Sequence, residues 1–210
     1  MPSARNILRP CQLALEELHD VSVGVDVRDF LVDGDPADGR QGGLLVRESP
    51  GEVEVALALR ADVRRRLEGG DPFADLAEAA LPAFAVAVEE VSHFVYLLWQ
   101  GTQGRSVSVL ETEVQAEVDK YACARLLWSR QGRRDHGRLI PLLFDRFRLE
   151  AGLAPEEEDR YAEANALGRA YCARLRGRHP DDSPRPGLLR DLRDFFRLTG
   201  HDKLNLAHGG

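Results

Sequence analysis

The rhythm of apolar and polar positions changes near residue 70. In "VSVGVDVRDFLV" (Val21–Val32) apolar and polar residues alternate, with Val21, Val23, Val25 and Val27 on one face, the period of a strand. "GLLVRESPGEVEVALALR" (Gly43–Arg60) predicts two more strands around Ser49-Pro50-Gly51, which puts proline and glycine where turns want them. The expectation is a small antiparallel sheet of about three strands. Before it, Cys11–His19 predicts a short helix. After it, "ADVRRRLEGG" predicts a helical turn or two stopped by Gly69-Gly70.

From Asp71 onward the spacing becomes helical. Asp71-Pro72 has the form of a helix start, and Pro82 then interrupts or kinks the run. Phe84, Val88, Val91, Val95 and Leu98 recur at four-three spacing, the seam of a packed helix closed by Gly101 and Gly104. Ser108-Val-Leu-Glu111 matches a capping box, and a second long helix runs from there to about Gln131. A third starts near Asp135 or Pro141 and ends at Gly152, and a fourth runs from Pro155 to Gly177. A last one carries Leu188, Leu189, Leu192, Phe195 and Phe196 and closes at Gly200, leaving "NLAHGG" as a frayed tail. The expected class is helix-dominated α+β: a small N-terminal sheet packed on a bundle of about five helices. Residues 1–70 form the β-rich part and 71–210 the bundle, together one compact unit.

Charge adds an asymmetry. Residues 1–121 carry 11 basic and 22 acidic residues, while 122–200 carry 16 and 12. In the second part arginines alternate with acids, which reads as a solvated helical surface more than as a polyanion-binding face, so nucleic acid is not the expected partner. Only Lys120 and Lys203 are lysines, the bias of a GC-rich bacterial genome. Cys11, Cys123 and Cys172 are far apart, as free thiols in a reducing compartment would be. The N-terminus lacks the apolar core of a signal peptide. Ala79–Trp99 has the length of a membrane span but contains Pro82, Glu89, Glu90, Ser92 and His93. One central acid costs roughly 2.5–3.5 kcal/mol on insertion, so the stretch reads as a buried helix. The expected protein is soluble and cytoplasmic.

That buried helix raises the question of function, because Glu90 and His93 share one of its faces. On the next helix Glu113, Glu117 and Lys120 share a face at i, i+4 and i+7. A short connection makes the two helices antiparallel, and counting outward from it sets His93 level with residues 113–115 and Glu90 level with 116–118. Glu90, His93, Glu113 and Glu117 are therefore candidate ligands of a divalent metal, with Lys120 in the same polar cluster. A proton-transfer pair built on His93 is the metal-free alternative. A single E-x-x-H does not make a full di-iron site. The structural alternative is a network that only sets helix register, with Glu90 and His93 pairing with Lys120 or Arg105.

No phosphate loop, G-x-S-x-G or H-E-x-x-H is present. His136 falls in a basic stretch expected to be an exposed loop, and Tyr161, Tyr171 and Cys172 sit at spacings that suit core packing. The leading expectation is an adaptor or accessory subunit that binds another protein through its acidic N-terminal half and sheet edge. The second is a small metal-dependent or acid/base enzyme using Glu90, His93, Glu113 and Glu117.

Overall fold

The structure is a computed structural model that describes residues 4–36, 39–49, 52–149, 152–180 and 185–209. Its first helix, α1 (Ala4–His19), starts well before Cys11 and carries Pro10 inside it. Ile7, Leu8, Cys11, Leu15 and Leu18 are all buried at three-four spacing. Burying that stripe outweighs the roughly 3 kcal/mol that an interior proline costs.

The expected strand over Val21–Val32 does not form. Its backbone is held by a side chain instead: Gln12 Nε2 donates to the Val25 carbonyl at 2.7 Å, and Val27 N donates to Gln12 Oε1 at 2.8 Å. Asp26 caps a single 3-10 turn, Val27–Phe30, and only Leu31 bridges to Leu57. The sheet among the described residues is thus one antiparallel pair, β1 (Gly42–Ser49) and β2 (Glu52–Leu59), in the register Gly42↔Leu59 to Ser49↔Glu52. The base of the hairpin is buried at Gly42, Leu57, Ala58 and Leu59, while Leu45 and Val46 farther out are exposed. The turn at Pro50-Gly51 lies outside the described residues. Helix α2 (Ala61–Glu68) follows and ends at Gly69, as its glycines predict.

Asp71-Pro72 opens no helix. Asp71 closes one turn by accepting from Phe73 N at 2.9 Å, and Trp128 and Gln131 then fix the segment: Leu76 N donates to Gln131 Oε1, and Trp128 Nε1 donates to the Leu76 carbonyl, both at 3.0 Å. The long helix is α3 (Leu81–Thr102), and Pro82 sits in its first turn, where a missing N–H costs nothing, so it neither interrupts nor kinks. Phe84, Val88, Val91 and Val95 are buried as the seam predicts. Helix α4 (Val109–Arg130) begins at Ser108 with both arms of the capping box formed. It is buried on most of its circumference, between α3 on one side and α5 (Pro155–Arg178) on the other.

Between α4 and α5 the expected third helix is replaced by two short turns, His136–Arg138 and a π-type turn at Pro141–Asp145. Leu139, Ile140 and Phe144 plug this segment into the core. His136, expected to be exposed, is buried with Nε2 at 3.2 Å from Ser129 Oγ. After α5 come α6 (Arg185–Arg197) and α7 (Gly200–His208), the latter formed by the tail expected to fray. Lys203 anchors α7 in the interior, and Arg174 caps its end by donating to the Leu206 and Ala207 carbonyls at 2.6 and 2.7 Å. The fold is a helix-dominated α+β structure with two strands among the described residues. Helix α3 is long and apolar enough to cross a membrane, but 61% of that apolar window is buried against the rest of the molecule, the use of a core helix.

Candidate metal centre

Glu89, Glu90 and His93 project from the third and fourth turns of α3, and Glu113, Glu117 and Lys120 from the facing side of α4. The antiparallel hairpin brings the two sets to one height. His93 Nε2 lies 3.4 Å from Glu113 Oε2, and His93 Nδ1 lies 3.9 Å from Glu90 Oε2. These are charge-pair distances, and His93 Nε2 makes no directed hydrogen bond. One turn away, Lys120 Nζ donates to Glu89 Oε2 at 2.8 Å and to Glu117 Oε1 at 2.9 Å. Lys120 therefore pairs with Glu89 and Glu117, whereas Arg105 is elsewhere, donating to the Arg197 carbonyl.

Two glycines close the site. A Cβ on Gly42 of β1 would stand 2.5 Å from Glu90 Oε1, so the strand can lie over this carboxyl only because residue 42 has no side chain. A Cβ on Gly168 of α5 would stand 2.5 Å from Glu117 Cβ. The cluster consequently forms the floor of a cavity of about 430 Å³ between the hairpin, α3, α4 and α5. Arg40, Arg160 and Tyr161 line another part of it. Arg40 donates to Tyr161 Oη at 2.8 Å and forms an ion pair with Glu157.

The electrostatics follow from four acids and two bases in a small, poorly hydrated volume. Burial raises the Glu90 carboxyl above the usual range; His93 opposes this, and the neighbouring Glu89 and Glu113 add to it. Burial also raises Glu117 against the pull of Lys120. Glu89 ends below its usual value, because Lys120 and then His93 outweigh the effect of burial. Burial disfavours the imidazolium of His93, but Glu113 and Glu90 more than compensate and hold it well above its ordinary value. Lys120 is likewise held above its ordinary value by Glu117 and Glu89 in spite of burial.

Glu89, His93 and Glu113 each offer a ligand atom, and these atoms lie within 4.8 Å of one another. A nitrogen and two carboxylate oxygens so placed can hold a divalent cation. The buried Glu90 Oε2 and Glu117 Oε2 have no hydrogen-bond partner, and buried polar atoms without partners need an explanation such as an ion or water. Of the expected ligands, His93 and Glu113 fall in this triad, while Glu90 and Glu117 flank it. Glu89 takes the place assigned to Glu90: reading E-x-x-H from the sequence selects the i, i+3 acid and passes over the i, i+4 acid on the same face. Arg40, Arg160 and Tyr161 gave no signal of a site, since Arg40 lies 41 residues before α3 and Arg160 and Tyr161 lie 58 and 59 residues after it. No protein-family model, curated protein or solved structure matches the chain.

Proposed function

We propose that the protein is a divalent-metal-dependent enzyme acting on a small molecule, with Glu89, His93 and Glu113 as the metal ligands. The observation that carries this reading is the convergence of those three donors on a 430 Å³ cavity beside carboxylate oxygens that have no other partner. That volume falls in the range of roughly 300–1,000 Å³ typical of small-molecule sites. Three protein ligands leave coordination positions open towards the cavity, the arrangement of catalytic rather than structural sites. A metal held there would acidify a bound water. The adjacent Glu90, buried and with its pKa raised, suits the acceptance of that proton, and Glu117 is a second candidate. Lys120 holds Glu89 and Glu117 in place. Glu113 and Glu90 favour a proton on His93, and ligation needs that imidazole neutral, so metal and proton would compete for His93.

Elemental analysis and titration calorimetry with Mn²⁺, Fe²⁺ and Zn²⁺ test this. One ion per chain is expected, lost in His93→Ala and in Glu113→Gln with the circular dichroism unchanged. A folded parent that takes up none of the three ions would sink the reading.

The adaptor reading has its own support in the outer half of the hairpin, where Leu45 and Val46 are 62% and 45% exposed on a two-stranded sheet with open edges. Under that reading Leu45→Glu/Val46→Glu loses a specific partner while keeping the metal. The buried free thiols Cys11, Cys123 and Cys172 support a cytoplasmic location under either reading.

A further inference from the structure

The cavity is lined by charges of both signs. The acids of α3 and α4 form its floor, and Arg40, Arg148 and Arg160 line it from other parts of the chain. Arg160 approaches Glu157 no closer than 3.6 Å, and its Nε is buried without a hydrogen-bond partner. The Arg40 and Arg160 guanidinium groups stand 5.7 and 5.4 Å from the centre of the Tyr161 ring, which holds both towards one region. Between the floor and the arginines the lining is apolar, from Leu44, Ala58, Val86, Phe147 and Leu153.

We infer that the cavity binds a small organic oxyanion, a carboxylate or phosphate head on an apolar body, whose head lies between the metal and the Arg160 guanidinium. This rests on the metal reading of the floor. With no metal, the glutamates repel an anion. A divalent ion on Glu89, His93 and Glu113 offsets two of the four carboxylates and presents positive charge to the head opposite Arg160, whose planar fork matches an oxyanion in geometry. The apolar lining distinguishes such a ligand from an inorganic ion. Metal and anion are therefore coupled, each tightening the other by the same factor.

The test is titration calorimetry of Mn²⁺-loaded protein with phenyl phosphate, hexanoate and inorganic phosphate. Phenyl phosphate or hexanoate is expected to bind more tightly than inorganic phosphate, and in the loaded protein more tightly than in the chelator-treated one. Arg160→Gln should weaken that binding about tenfold, the effect of removing a charged hydrogen bond, and leave the affinity for Mn²⁺ alone unchanged. Arg160→Lys, which keeps the charge without the fork, should fall between and serves if Arg160→Gln folds poorly. Mn²⁺ uptake with no anion bound, or with binding indifferent to both Arg160 variants, overturns the inference and leaves the metal centre standing. If no Mn²⁺ binds, the metal reading falls and the inference that rests on it falls with it.

Discussion

Helix α4 carries two polar clusters on different faces, and they are built to opposite rules. On one face Asp119 is fully engaged: Oδ1 lies 2.8 Å from His19 Nε2 and accepts from Gln115 Nε2 at 2.9 Å, while Oδ2 accepts from Ser92 Oγ at 2.6 Å. All four side chains are buried, and the His19 ring stacks on Phe196 with centroids 4.0 Å apart. What remains unpartnered there is His19 Nδ1 and Gln115 Oε1, neither of them a carboxylate oxygen. On the other face the unpartnered atoms are carboxylate oxygens of Glu90 and Glu117, and they border a void. The two faces share residue types and burial. Packing separates them: a sealed network that satisfies its acid holds helices together, whereas one that leaves acids unsatisfied beside a cavity stores binding capacity at a cost in stability.

That contrast can be broken first at Asp119. Asp119→Ala removes the acceptor of three buried donors and is expected to destabilise the fold by about 4 kcal/mol, measured by urea unfolding. A loss below 1 kcal/mol would show that this face is no keystone.

Lys203 sharpens it next. Its buried ammonium donates to Tyr96 Oη at 3.0 Å and to the Phe195 and Leu198 carbonyls at 3.2 and 3.3 Å, yet burial lowers its pKa to about 7. A lysine lowered on folding is penalised while charged, so the penalty is full below pH 7 and fades as pH rises towards the unfolded value near 10.4. Relative to Lys203→Met, the parent should gain about 3 kcal/mol of stability between pH 7 and 9.5. A pH-independent difference between the two proteins would contradict the assignment.

Gly42 tests the closure over the site. Gly42→Ala pushes a methyl into Glu90 and is expected to cost about 2 kcal/mol and to weaken metal uptake in parallel. An alanine variant as stable as the parent would mean that the hairpin lifts off α3 freely.

The smallest effect has the opposite sign. Glu90 and Glu117 have folded-state pKa values above the unfolded ones, so their charged forms oppose folding once pH exceeds about 4.5. His93, raised well above its ordinary value, adds stability at low pH that is lost as pH climbs through its folded value. Glu90→Gln in chelator should therefore stabilise the protein by about 1 kcal/mol at pH 8 and by little at pH 4.5. Destabilisation at pH 8 would place Glu90 with the structural face.

What the sequence made legible was local. The capping box at Ser108, the stop after Gln131 and the antiparallel hairpin all depend on neighbours within a few residues, and counting along that hairpin was enough to set His93 beside Glu113. The strand expected at Val21–Val32 was lost to Gln12, whose amide supplies the hydrogen bonds a ladder would have given; alternation cannot reveal a competitor on another element. The third helix failed because its buried residues serve as plugs for the core. Helix α7 was hidden in a polar tail because its anchor is a lysine, a residue that reads as solvent-exposed. In the site, Glu89 was visible but passed over, and Arg40, Arg160 and Tyr161 became legible only once the chain was folded.

The hydrogen bond from Arg40 to Tyr161 joins residues 121 positions apart. Closing so long a loop costs more chain entropy than closing the local α3–α4 hairpin. The two helices that hold the acids can thus meet before the wall of arginines exists. A chain emerging from the ribosome carries Arg40 and the acids of α3 and α4 first, and Arg160 and Tyr161 only when α5 has been made, so the order of synthesis itself delays a complete pocket until then.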